Sequence, residues 1–192
     1  MQKKMLDPNQ IVALKDYPLR SEQILKIYFR VFQKKQGNIL PRCPVIHISS
    51  GIPYMHGNDK KSQLYNQALD EFFGDHPNAE YFLVDGNHKS VAAALSYQRL
   101  PVIVLREKED FKESKKMVET GEIFGWYAIP NSVDEELQEL RKHFIKYFSQ
   151  KPHFYTVGEK TEMLVRNNAV PKYMSLAYAK IGFYRMRVKK EP

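Results

Sequence analysis

The residues best suited to chemistry stand together, Asp85-Gly86-Asn87-His88-Lys89-Ser90. An apolar run, Tyr81-Phe82-Leu83-Val84, leads into them, and Val91-Ala92-Ala93-Ala94-Leu95 follows. That order predicts a buried strand, a tight turn at Gly86 and a helix that starts at once. The first turn of a helix presents N–H groups with no intrahelical acceptor, at the positive end of the helix dipole. It can therefore receive an anion before any side chain is considered. Gly86 lets the main chain approach a ligand closely. His88 and Lys89 put two donors or positive charges where cations are otherwise disfavoured, which points to an anion between them. Asp85 could hold a magnesium ion or orient an attacking hydroxyl. The same residues also have a plainer reading: a strand-turn-helix with Asn87 as cap and two solvated basic residues.

The flanking elements must position this turn. A short strand is expected at Ile11–Leu14, then a turn through Lys15-Asp16-Tyr17-Pro18. Ser21 can cap a helix over 22–35, where Ile24, Ile27, Tyr28, Val31 and Phe32 recur at helical spacing. Val45–Ser49 reads as a strand, 51–60 as a polar loop and 61–73 as a helix carrying Leu64, Ala68 and Phe72. After the turn, 88–99 is expected to be helical, Pro101 to stop it, and Val102–Leu105 to form a buried strand. Residues 106–119 read as a charged helix with Phe111 and Val118 inward, and 121–130 as an aromatic connector containing Phe124 and Trp126. Ser132 with Glu135 and Thr156 with Glu159 are capping-box pairs that open two further helices. Pro171 can start a last one through Tyr173, Leu176, Ala177 and Ile181. Strands and helices alternate up to Leu105 and only helices are clear after 131, so the class is α/β with a helical C-terminal extension.

The run from Leu83 to Leu95, followed by Leu100-Pro101-Val102-Ile103-Val104-Leu105, resembles the signature of the ParB/sulfiredoxin superfamily. There an apolar pair leads into Asp-Gly-His-His-Arg or Gly-Cys-His-Arg, a helix of small residues and a strand that opens with Pro-Val. Upstream, Tyr17-Pro18-Leu19, the helix at 22–35 and Pro44-Val45-Ile46-His47-Ile48 occupy the places of the family's Pro-Leu turn, helix and strand. The resemblance covers about residues 10–106. It implies a ParB/sulfiredoxin-like domain with a small mixed sheet over 1–130, and a helical extension with a basic tail over 131–192. It further implies that ATP or another nucleoside polyphosphate, with Mg2+, binds at the turn. Gly86, Asn87, His88, Lys89 and Ser90 would then contact phosphate, and Asp85 with His88 would be catalytic, for phosphotransfer or nucleotide hydrolysis. A ParB-like DNA-binding protein or nuclease is the alternative. The chain departs from the family at four places. Tyr17 stands where the family has a basic residue before its Pro-Leu, with Arg20 close by. Asn87 stands where sulfiredoxin has its catalytic cysteine, which argues against sulfinic-acid repair. Lys89 replaces the usual arginine and gives up bidentate geometry. The kinase branch's early glutamate has no clear counterpart, Asp16 and Glu22 being the nearest carboxylates.

Composition sets outer bounds. The 192 residues are 43% hydrophobic and 27% charged, with 11 Phe, 12 Tyr and one Trp, as in a folded globular chain rather than a disordered one. No apolar run approaches the ~20 residues of a membrane span, and no apolar stretch follows the N-terminal lysines, so a cytoplasmic location without a membrane partner is expected. One cysteine, Cys43, leaves no internal disulfide. His143 and His153 have no partners at ligand spacing, so no metal site is expected from the histidines. His47 lies mid-strand, either lining a pocket or satisfied locally. The loop 53–61, with His56 and Asp59, reads equally as a lid or a surface insertion. The net charge of +8 suits polyanionic partners. DNA would be reached through Arg185-Met186-Arg187-Val188-Lys189-Lys190 or through a helix-turn-helix at 156–181, although a plain packing hairpin explains that helix pair more simply. Oligomeric state is not readable from the chain.

Overall fold

The computed structural model describes residues 1–13, 21–122, 129–148 and 153–188. The Tyr17-Pro18-Leu19 turn, Arg20, the Phe124–Trp126 connector and the Lys189-Lys190 end of the tail lie outside the described residues. Five strands form one mixed sheet: β1 (Gln2–Leu6), β2 (Ile11–Val12), β3 (Cys43–His47), β4 (Tyr81–Leu83) and β5 (Leu100–Leu105), in the order β1-β5-β3-β4-β2. β3 runs parallel to β5 and antiparallel to β4; β2 is parallel to β4, and β1 is antiparallel to β5. Seven α-helices occur among the described residues: α1 (Glu22–Gln33), α2 (Lys60–Asp75), α3 (Asn87–Leu95), α4 (Lys108–Glu119), α5 (Val133–Phe148), α6 (Val157–Arg166) and α7 (Lys172–Val188).

Side chains alternate across a strand, so each central strand feeds two cores. Cys43 and Val45 of β3, with Leu100, Val102 and Val104 of β5, join Leu25, Phe29 and Phe32 of α1, the Val91–Leu95 run of α3, Leu164 of α6 and Met174 of α7. Ile46, Ile103 and Leu105 face the other way, onto Tyr65, Leu69 and Phe72 of α2, Phe111 and Met117 of α4, and Leu137, Leu140 and Phe144 of α5. The helices after residue 131 thus contribute to both cores. Phe111 is fully buried and Val118 packs half-buried against the same core, as expected, and Met117 of α4 joins them there.

Several expectations need correction. β1 was not legible: Gln-Lys-Lys-Met-Leu hides its alternation behind lysines, the residues that protect an edge strand from pairing with other chains. Lys4 of that strand extends across the sheet to donate to the Tyr81 hydroxyl at 2.7 Å. The helix expected over 88–99 stops at Leu95. Tyr97 adopts a left-handed backbone at φ 51°, Tyr97 N–H donates to Ala94 C=O and Gln98 N–H to Ala93 C=O, the Schellman pattern with tyrosine where glycine is usual. The Thr156/Glu159 capping box is complete. The Ser132/Glu135 pair is only half made: Glu135 N–H donates to Ser132 Oγ, but the Glu135 carboxylate accepts from Asn131 instead.

Candidate active site

β4 ends at Leu83, and Val84 N–H still donates to Pro44 C=O, which holds the chain against the start of β3. Gly86 then turns the backbone at φ 107°, ψ 33°, and α3 begins at Asn87. The glycine is required twice over. Its φ is one that L residues rarely adopt, and a Cβ built there would lie 2.3 Å from Cys43 Sγ. The close approach expected at Gly86 is therefore made to the protein's own β3. Behind the turn the alanine run is buried, so α3 is packed as a central helix and its N-terminus is held in place.

The side chains divide between the turn's open side and its interior. Asp85, Gly86, Asn87 and His88 are half-buried, whereas Lys89 is 4% exposed and Ser90 is fully buried. Lys89 Nζ donates to Pro41 C=O at 2.6 Å and stands 6.0 Å from the Tyr28 ring centroid. Burial pushes the Cys43 thiol up to about 11, against the opposing charge of nearby Lys89. Lys89 thus meets a carbonyl and a ring and is buried beneath the turn rather than lying on its surface. Ser90 Oγ donates back to Asn87 C=O at 2.9 Å, a helix-internal bond. His88 Nε2 accepts from Ser21 N–H at 3.1 Å. With Nε2 accepting, the nitrogen left to donate is Nδ1.

Beside the N-terminus of α3 stand two side-chain oxygen groups, the half-buried Asp85 carboxylate and the amide of Asn87. Asn87 Oδ1 is buried with no hydrogen-bond partner, an energetically costly state for an amide oxygen. Asp85 is close enough to act on Tyr28 and Cys43, raising the pKa of both, though burial is the larger cause in each case. Tyr28, half-buried on α1, is the contributor that sequence reasoning used only as a helix-face residue. Its spacing four residues before Phe32 signalled burial and gave no sign that the ring would border Lys89.

Other candidates resolve as structural. His47 Nδ1 accepts from Ser49 N–H and its ring packs edge-on against Tyr81, so it is satisfied locally. The 53–61 loop is pinned to α2: Tyr54 OH donates to Asp70, Met55 exchanges two hydrogen bonds with Asn66, and Asp59 caps the helix through Lys61 and Ser62 N–H. No cluster of three metal-ligating side chains occurs among the described residues, and no helix there is long and apolar enough to cross a membrane. α6 and α7 contribute Leu164 and Met174 to the same core as α3, the behaviour of a packing hairpin. Compared with known proteins, the chain matches no family model, no curated protein and no solved structure.

Proposed function

We propose that the Asp85–Ser90 turn binds the phosphates of a nucleoside polyphosphate and supports phosphoryl transfer or hydrolysis. One observation carries this reading: β4 passes through the positive-φ Gly86 directly into the N-terminus of α3, with half-buried Asp85 before it and the Lys89 ammonium buried behind it. First-turn N–H groups of α3 would receive phosphate oxygens, and the dipole and Lys89 would act on the same anion by their fields. Asp85 and the orphaned Asn87 Oδ1 are hard oxygen donors, which fit Mg2+, an ion that keeps several waters and shares phosphate oxygens. Bound there, Mg2+ would neutralise charge on the transferring phosphoryl group. His88, positioned by Ser21 N–H, would handle a proton beside the turn. Phosphoryl transfer asks mainly for positioning and charge neutralisation, so this donor set is chemically sufficient in outline. The resemblance to the ParB/sulfiredoxin superfamily points to the same turn.

The test is a thermal-shift panel of ATP, CTP and GTP with and without Mg2+, alongside two unrelated DNA duplexes, because a ligand that binds only the folded chain raises Tm. A nucleotide should raise Tm, and Asp85→Asn should keep that shift while losing turnover. A shift with duplex and none with any nucleotide would refute the proposal and favour the ParB-like DNA-binding or nuclease reading, for which the net charge of +8 speaks.

A further inference from the structure

At the far end of α2, His76 ends the helix and meets α6. Its backbone N–H donates to Phe72 C=O, its Nδ1 lies 2.9 Å from the same carbonyl, and its ring stacks on Phe72. Its other nitrogen, Nε2, lies 2.8 Å from Glu159 Oε1. The second oxygen of that carboxylate accepts from Thr156 N–H at 2.8 Å and from the Thr156 hydroxyl at 3.1 Å. Glu159 is therefore shared between the α6 cap and a histidine 83 residues earlier in the chain.

Both ring nitrogens of His76 face acceptors, a carbonyl on one side and a carboxylate on the other. Only an imidazolium donates from both nitrogens. A neutral ring must present a lone pair either to Phe72 C=O or to Glu159, and that contact then becomes repulsive. The helix ends reinforce the charged pair, since a cation at the C-terminus of α2 and an anion in the first turn of α6 each suit the local dipole.

We propose that His76 and Glu159 form a proton-operated latch, closed when His76 is protonated, that fastens the start of α6 to the end of α2. Thr156, the residue capped by Glu159, also bridges Val12 of β2, and α6 packs in the same core as α3. The latch thus ties the C-terminal helices to the sheet behind the phosphate turn, and it stands whether or not that turn binds nucleotide. Two charged groups act on the ring, Glu159 from α6 and Asp75 from its own helix; both favour the imidazolium, as does the Phe72 carbonyl, while burial opposes it. The balance raises the His76 pKa, and His76 helps to lower that of Glu159. The sign follows from both shifts. The histidine's contribution is fully present below its ordinary value of 6.5 and is lost as pH rises through the folded value. The glutamate's is present above its ordinary value of 4.5 and is lost as pH falls through its own lowered value. The latch is closed between the two folded values.

The experiment is an NMR titration of the histidine rings in the full chain, with amide-exchange protection factors along α6 measured at about pH 6 and about pH 9, either side of the expected opening. In the wild-type chain His76 should titrate above the ordinary histidine value, and protection of the Glu159, Lys160 and Thr161 amides should fall roughly fivefold as it deprotonates. Glu159→Gln should bring the His76 pKa back down. Because that variant also weakens the α6 cap, His76→Gln provides an independent check: its α6 protection should no longer change with pH, while far-UV circular dichroism reports an intact fold. A His76 that titrates at or below the ordinary value would overturn the latch, and so would the same pH-dependent loss of protection in His76→Gln.

Discussion

Gly86→Ala tests the geometry of the turn most directly, and its cost has two separable parts. An L residue at φ 107° must adopt a left-handed backbone, at about 1–2 kcal/mol. The new methyl would also sit 2.3 Å from Cys43 Sγ and 3.2 Å from Cys43 Cβ. Overpacking of this kind costs about 1–3 kcal/mol, because β3 must move or the thiol must leave its rotamer. The sum is about 2–5 kcal/mol, a large part of a typical domain's stability. Replacing Cys43 by alanine removes the sulfur but leaves the backbone strain, so the double variant should recover only the overpacking part. Urea denaturation of the four proteins, followed by circular dichroism, gives the coupling free energy directly. A favourable coupling of about 1–3 kcal/mol is expected between the two substitutions. If Gly86→Ala costs under about 1 kcal/mol, the turn does not need its glycine. If the cost is large but Cys43→Ala recovers none of it, the strain is purely conformational and the approach to Cys43 is not tight.

Three further outcomes follow from the same structure. Lys89→Met keeps the volume of a buried side chain and removes its charge; the fold should survive with little loss of stability, while nucleotide affinity measured by calorimetry falls about tenfold, since the ammonium acts on the anion through space. Burial, with help from Glu139, pushes Glu136 up to about 7 from an ordinary 4.5, so the folded state holds its proton more tightly than the unfolded one and stability declines as pH rises between those values. Glu136→Gln should therefore match the parent near pH 4 and exceed it near pH 8 by about 3 kcal/mol in denaturant titrations, and a constant difference would refute the assignment. Changing Arg185, Arg187, Lys189 and Lys190 to glutamine should flatten any salt dependence of duplex binding by about 0.9 in log–log slope for each phosphate that is no longer neutralised, equally for two unrelated sequences, whereas sequence preference that persists would place the reader elsewhere in the chain.

Local patterns determined much of this protein from the sequence alone. The helical spacing of Ile24, Ile27, Tyr28, Val31 and Phe32, the apolar run at Val102–Leu105, the Thr156/Glu159 cap and the strand-turn-helix at Gly86 are each set by neighbours within a few residues, and each stands in the structure as an element of the expected kind. The face that α1 buries is nevertheless Leu25, Phe29 and Phe32, while Ile24 and Ile27 are exposed, because the neighbours it packs against choose the face. Element boundaries moved where an unusual residue took a special backbone, as when Tyr97 closed α3 in place of a glycine. The tertiary structure decided where the charges go. Lys89 reads as a surface cation, yet helical rotation two residues past Asn87 carries it inward to Pro41 and Cys43. His88 reads as a donor, but Ser21, 67 residues earlier in the chain, supplies an N–H that turns its Nε2 into an acceptor. His76 and Glu159 are ordinary residues in their own segments and become a charged pair only because α2 and α6 end against each other. A residue's type and spacing fix its conformation, but its protonation and partners depend on groups distant in sequence that only the folded chain brings within hydrogen-bond reach.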